Sequence, residues 1–176
     1  MKECPTGSLS NAAFKDMYKQ FFPFGDSTAY AERVFHMFDT DKNGSINFRE
    51  FVSAISVSSK GTESEKLAWA FTLYDIDGDG VVTREEMYQV VSAIFAMVGS
   101  SVKHGADEDT PEKKVEKLFG LLDVVRLFQR VLVGFSNNPA VFQKDRDGRL
   151  SLHDFMTGAQ QDPNITHALA AFNTFV

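Results

Sequence analysis

Two short acidic stretches constrain this chain more than anything else in it: Asp39-Thr40-Asp41-Lys42-Asn43-Gly44 and Asp75-Ile76-Asp77-Gly78-Asp79-Gly80. Each sets an oxygen-bearing side chain at every second residue and a glycine at the sixth. Packed together without a counter-charge, these groups repel one another, so the spacing makes sense around a cation. A hard cation such as Ca²⁺ takes about six to eight oxygens, and a twelve-residue loop supplies them from its first, third, fifth, seventh, ninth and twelfth positions, turning at a glycine in the sixth.

Both stretches complete that pattern. In the first, Asp39, Asp41 and Asn43 fill the leading positions, Gly44 makes the turn, Ser45 offers its carbonyl, Asn47 is ninth and Glu50 closes the loop. In the second, Asp75, Asp77 and Asp79 lead, Gly80 turns, Val81 offers its carbonyl, Thr83 is ninth and Glu86 closes. The eighth position is apolar in both, Ile46 and Val82. Two Ca²⁺ sites are expected, with Mg²⁺ as an alternative occupant. The Asp75 loop, carrying one more acid, is expected to be the tighter.

Apolar stripes at helical spacing flank the loops. Leu67, Ala70, Phe71 and Tyr74 enter the Asp75 loop, and Met87, Val90, Val91, Ile94, Phe95 and Val98 leave it. The repeating unit is therefore helix, loop, helix, the EF-hand arrangement. The predicted fold is all-α: paired EF-hand units in two lobes, with short two-stranded β contacts between paired loops. Thr62 and Glu65 form a capping-box pattern, which makes Ser58 to Gly61 a connector between an N-terminal lobe, residues 1–57, and a C-terminal lobe, residues 62–176. A second connector runs from Gly99 to Thr110 and stops at Pro111, a favoured first helical residue.

Charge and composition exclude several classes. Eighteen Lys and Arg stand against 24 Asp and Glu, a net charge of -6, which disfavours nucleic acid as a partner. No apolar run reaches the roughly 18 residues of a membrane span, since Leu118 to Phe135 is interrupted by Asp123, Arg126 and Arg130. The single cysteine, Cys4, permits no internal disulfide, and the expected location is cytoplasmic, with peripheral membrane attachment only through a partner. His36, His104, His153 and His167 form no ligand pattern and no nucleophile motif accompanies them, so an enzyme is not expected.

Cys4-Pro5-Thr6-Gly7, Phe21-Phe22-Pro23, Phe48-Arg49-Glu50-Phe51, Trp69-Ala70-Phe71 and Thr110-Pro111-Glu112-Lys113 resemble landmarks of the neuronal calcium sensors. The resemblance covers almost the whole chain except residues 124 to 143. Asp162-Pro163-Asn164-Ile165 with Ala168-Leu169 looks most like the frequenin branch, the potassium-channel-interacting branch being close behind. The resemblance implies a sensor that exposes an apolar groove on loading and receives an amphipathic helix from an ion channel, a receptor kinase or a lipid kinase. Groove residues, by resemblance and apolar type, are Tyr18, Phe21, Phe22, Phe35, Phe51, Val52, Ile55, Trp69 and Phe71. A passive Ca²⁺ buffer, or a non-functional splice or truncation product, is the alternative.

The same resemblance implies a disabled first hand. Lys2 and Cys4 take its first and third positions, Pro5 its fourth, Gly7 its sixth and Ala13 its twelfth, a set that lacks the carboxylates Ca²⁺ needs. Cys4 is read there as a loop residue rather than a redox thiol. The chain starts Met1-Lys2, without the myristoylation glycine or the first hand's entering helix, so neither a myristoyl switch nor direct membrane association is expected.

The fourth hand reads as interrupted. Leu121-Leu122-Asp123 and Lys144-Asp145-Arg146-Asp147-Gly148 would adjoin if residues 124 to 143 were absent. As the chain stands, Gln143 takes the first position, Asp145 and Asp147 follow, Arg149 is seventh, Ser151 ninth and Asp154 closes with a short side chain. These form a weak metal set. Three readings compete for the extra segment, a regulatory docking helix, a membrane-surface helix helped by Arg126 and Arg130, or an accidental insertion; Val124 opens and Gln143 ends it with codons that suit intron boundaries, which favours the insertion, as a retained intron.

Overall fold

The computed structural model describes residues 7–99, 110–120 and 148–161. In chain order these form β1 (Ser8–Ser10), α1 (Asn11–Phe21), α2 (Thr28–Phe38), β2 (Ser45–Asn47), α3 (Phe48–Lys60), α4 (Glu63–Tyr74), β3 (Val81–Thr83) and α5 (Arg84–Val98). Residues 111–120 are helical and are called α6. The strand β4 (Arg149–Ser151) and α7 (Leu152–Gln161) follow. The fold is all-α, its strands serving only as short two-stranded links between loops. The expectations for Lys2, Cys4 and Pro5, for residues 124–143, for Gln143, Asp145 and Asp147, and for His104 and His167 lie outside the described residues.

The hydrogen bonds that start the helices are the ones that close the loops. Asn47 and Glu50 cap each other at the head of α3, and Thr83 and Glu86 do the same at the head of α5. The ninth loop position is thus the N-cap, and the twelfth is the third residue of the leaving helix. Thr62 and Glu65 form the expected box at the head of α4. Ser10 caps α1 by accepting from the Ala13 amide.

The connector before α4 is shorter than the expected Ser58 to Gly61. Helix α3 runs through Lys60, because the Ser59 hydroxyl donates to the Ile55 carbonyl at 2.6 Å and so satisfies itself within the helix. Gly61 stops it: its N–H returns to the Val57 carbonyl, and a Cβ placed there would lie 2.4 Å from that oxygen. Gly61 and Thr62 alone join α3 to α4.

The strands pair antiparallel, β1 with β2 and β3 with β4. In register, Leu9 faces Ile46 and Val82 faces Leu150, all four at the eighth position of their loops. Ile46, Val82 and Leu150 are buried, so each pair of loops is pinned by an apolar contact beneath its oxygen ligands.

One continuous core joins the hands. Phe14 packs edge-on against Phe35 and Phe38, while Phe155 of α7 packs against Phe71 and Tyr74 of α4. The front and back halves also touch. Asp26 N–H donates to the Ala96 carbonyl at 2.8 Å, and Arg33 reaches Gln89 at 3.0 Å. Gly25 permits this approach, since a Cβ there would stand 2.1 Å from the Met97 carbonyl oxygen. Arg84 spans the back half, its guanidinium 4.9 Å from the Phe119 ring centre and its backbone N–H on the Gly148 carbonyl.

Candidate metal centres

In the Asp39 loop the backbone turns because Lys42 and Gly44 adopt positive φ, 56° and 81°. Asp39, at the end of α2, accepts from Asn43 N–H through one oxygen and from Gly44 N–H through the other. Asp41 holds the Asn43 amide and side chain, and Asn43 in turn accepts from Ser45 N–H and its hydroxyl. Glu50 reaches back across the loop. Its Oε1 accepts from Thr40 N–H, the Thr40 hydroxyl and Asp41 N–H at 3.0, 3.1 and 3.3 Å, and its Oε2 from Asn47 N–H at 3.0 Å.

The Asp75 loop repeats the design with glycines, Gly78 and Gly80, at both positive-φ positions. Asp75 Oδ2 accepts from Gly80 N–H, Asp77 from Asp79 N–H, and Asp79 from Val81 N–H. Glu86 Oε1 accepts from Ile76 and Asp77 N–H, and its Oε2 from the amide and hydroxyl of Thr83. Asp75 Oδ1 is buried and accepts no hydrogen bond. A buried carboxylate oxygen without a donor is costly unless something positive completes it.

Carboxylate oxygens of Asp39, Asp41 and Glu50 lie within 4.8 Å of one another, as do those of Asp75, Asp77 and Glu86. Three acids held this close repel, and an all-oxygen set containing a closing glutamate has the chemistry Ca²⁺ takes. Both glutamates are kept ionised. At Glu50 the Asn47 amide is the largest influence and, with the Thr40 and Asp41 donors, holds the carboxyl below its ordinary value. At Glu86 desolvation pushes upward, but the Thr83, Ile76 and Asp77 donors together outweigh it and the net shift is downward. The two closing glutamates therefore stand in place and charged.

Sequence reasoning found the ligand acids but missed what aims the glutamates. The donors are backbone amides of the second and third loop positions, Thr40 and Asp41 or Ile76 and Asp77. Backbone donors leave no residue signature; only the Thr40 and Thr83 hydroxyls were readable.

The outer loops differ. At the twelfth position of the first, Ala13 brings no oxygen, although Gly7 keeps the turn at φ 76°. In the described part of the fourth, Gly148 turns at φ 67°, Arg149 and Ser151 bound β4, and Asp154 Oδ2 accepts from the amide and hydroxyl of Ser151. His36 and His153 are exposed.

The residues expected to line a groove divide three ways. Tyr18, Phe35 and Phe71 are core residues. Phe22, Ile55 and Trp69 are half-buried. Phe21 is 69% exposed, Val52 46% and Phe51 39%, and beside them stand Phe24 and Phe48, at 75% and 76%, which the sequence had not singled out.

Residues 30–57 match the EF hand domain, and residues 53–93 match the EF-hand domain pair. Over 168 residues, 96% of this chain, the sequence is 43% identical to neuronal calcium sensor 1 of Lymnaea stagnalis, of which 78% is covered. The chain belongs to the neuronal calcium sensor family. In an EF-hand protein of this family, the two acidic groups are ones that could hold Ca²⁺. Among the described residues no helix is long and apolar enough to cross a membrane.

Proposed function

We propose that this neuronal calcium sensor relative is a cytoplasmic Ca²⁺ sensor that binds at the Asp39 and Asp75 loops and regulates a protein partner. The observation that carries the reading is Asp75 Oδ1, a buried carboxylate oxygen without a hydrogen-bond donor beside Asp77 and Glu86. Bound in either loop, Ca²⁺ neutralises the clustered carboxylates.

The chain's residues would act as follows. Asp39, Asp41, Asn43, Asn47 and Glu50 hold one ion through side chains and Ser45 through its carbonyl; Asp75, Asp77, Asp79, Thr83, Glu86 and the Val81 carbonyl hold the other. Glu50 and Glu86 head α3 and α5, so any adjustment of either carboxylate moves a helix. Loading reorients α3, whose Phe48, Phe51 and Val52 are exposed, and alters the apolar surface offered to an amphipathic helix. The family resemblance makes an ion channel, a receptor kinase or a lipid kinase the source of that helix. The halves 1–57 and 62–176 would act as two lobes.

A passive buffer is the second reading, and one observation favours it: Glu50 and Glu86 already face into their loops, so loading requires little movement. Fluorescence of an apolar dye, recorded in Ca²⁺ and in chelator, decides between them. A Ca²⁺-dependent rise supports the sensor; an unchanged signal with Ca²⁺ bound supports the buffer.

A further inference from the structure

The closing glutamates of the two loops are held unequally. Glu86 distributes its donors evenly: Ile76 and Asp77 N–H on Oε1, and the Thr83 amide and hydroxyl on Oε2. Glu50 does not. Its Oε2 accepts from Asn47 N–H, whereas Oε1 is crowded by the Thr40 amide, the Thr40 hydroxyl and the Asp41 amide. A carboxylate oxygen has about two lone-pair directions; Glu50 Oε1, with three donors against two on either Glu86 oxygen, must give up one more hydrogen bond than Glu86 does to take a metal.

The excess donor is a side chain. At the same loop position the other hand has Ile76, which carries no hydroxyl and points outward, 41% exposed. Three backbone amides already aim Glu50, so the Thr40 hydroxyl adds little to its orientation while occupying an acceptor site. It also has a second acceptor in reach, the Phe38 carbonyl at 3.5 Å.

Ca²⁺ takes both oxygens of the closing glutamate, whereas the smaller Mg²⁺ accepts fewer, strictly octahedral ligands and is satisfied by one. We infer that Thr40 is a specificity-setting positioning residue of the Asp39 loop, its hydroxyl holding Glu50 Oε1 and so favouring a one-oxygen bond and Mg²⁺ over Ca²⁺. The inference rests on the reading that the Asp39 loop binds Ca²⁺. It assigns the selectivity of that loop to a residue outside the ligand positions.

The test uses the full chain carrying Glu86→Gln, which leaves the Asp39 loop as the measured site, titrated calorimetrically with Ca²⁺ and with Mg²⁺. Adding Thr40→Val removes the hydroxyl with little change of shape at an exposed position. Ca²⁺ affinity is expected to rise about fivefold, the worth of one released hydrogen bond, while Mg²⁺ affinity stays within about twofold. Thr40→Ser, which keeps the hydroxyl, should reproduce the parent ratio; a merely structural role would not distinguish the two variants in this way. An unchanged or lower Ca²⁺/Mg²⁺ ratio in Thr40→Val overturns the inference alone. If Glu86→Gln protein binds no Ca²⁺, the reading of the Asp39 loop fails, and the inference with it.

Discussion

Val82 and Leu150 face each other across the β3–β4 pair, both buried, each at the eighth position of its loop. The contact ties the Asp75 loop to the fourth loop whether or not the latter holds an ion. Replacing Leu150 with Ala removes apolar contact without touching a ligand. The expected cost is about 2–4 kcal/mol of stability, measured by denaturant unfolding, with weaker Ca²⁺ binding at the Asp75 loop as the tie loosens. Leu9→Ala, which loosens the partner of Ile46, should affect the Asp39 loop instead.

Backbone conformation separates the two loops as well. The fourth position is Gly78 at φ 73° in one and Lys42 at φ 56° in the other. A side chain in the left-handed region costs roughly 1–2 kcal/mol, so Gly78→Lys should destabilise the protein by about that amount. Lys42→Gly should change stability by less than about 0.5 kcal/mol, because relief of strain is offset by the greater freedom of glycine in the unfolded chain. Paired thermal melts at saturating Ca²⁺ check both.

Acid should erase the Thr62–Glu65 cap. The Thr62 amide, then its hydroxyl, holds the Glu65 carboxyl below its ordinary value in the folded protein. Because the folded value is the lower one, this contribution to stability is fully present above the unfolded carboxyl's pKa and is lost as pH falls through the folded one. Glu65→Ala is therefore expected to melt below the wild type at neutral pH, and the gap should close as pH drops below the ordinary carboxylate range. A gap that persists at pH 2 would mean the side chain stabilises by packing instead.

Much of this architecture was legible in the sequence, for reasons that differ by residue. The ligand acids were readable because chelation demands oxygen at fixed spacing, and Ile46 and Val82 because a buried strand pair demands apolar residues between the ligands. The cap at Thr62 was readable because both its acceptors are side chains, of Thr62 and Glu65. The extent of α3 was not: Ser58, Ser59 and Lys60 look like a linker, yet they continue the helix, with the Ser59 hydroxyl on the Ile55 carbonyl and the Gly61 N–H on the Val57 carbonyl. The apolar residues gave type without depth. Tyr18 and Phe21 lie on one helix, yet the first is core and the second 69% exposed, a difference made by the packing of α1 on α2.

Whether Ca²⁺ binds at the Asp39 and Asp75 loops is decided by calorimetric titration of the full chain beside Glu50→Gln, Glu86→Gln and the double variant. Each glutamine keeps the shape and removes the charge of the closing carboxylate. Two sites are expected in the wild type, one in each single variant and none in the double. Three or more strong sites in the wild type, or tight binding retained by the double variant, would contradict binding at these two loops.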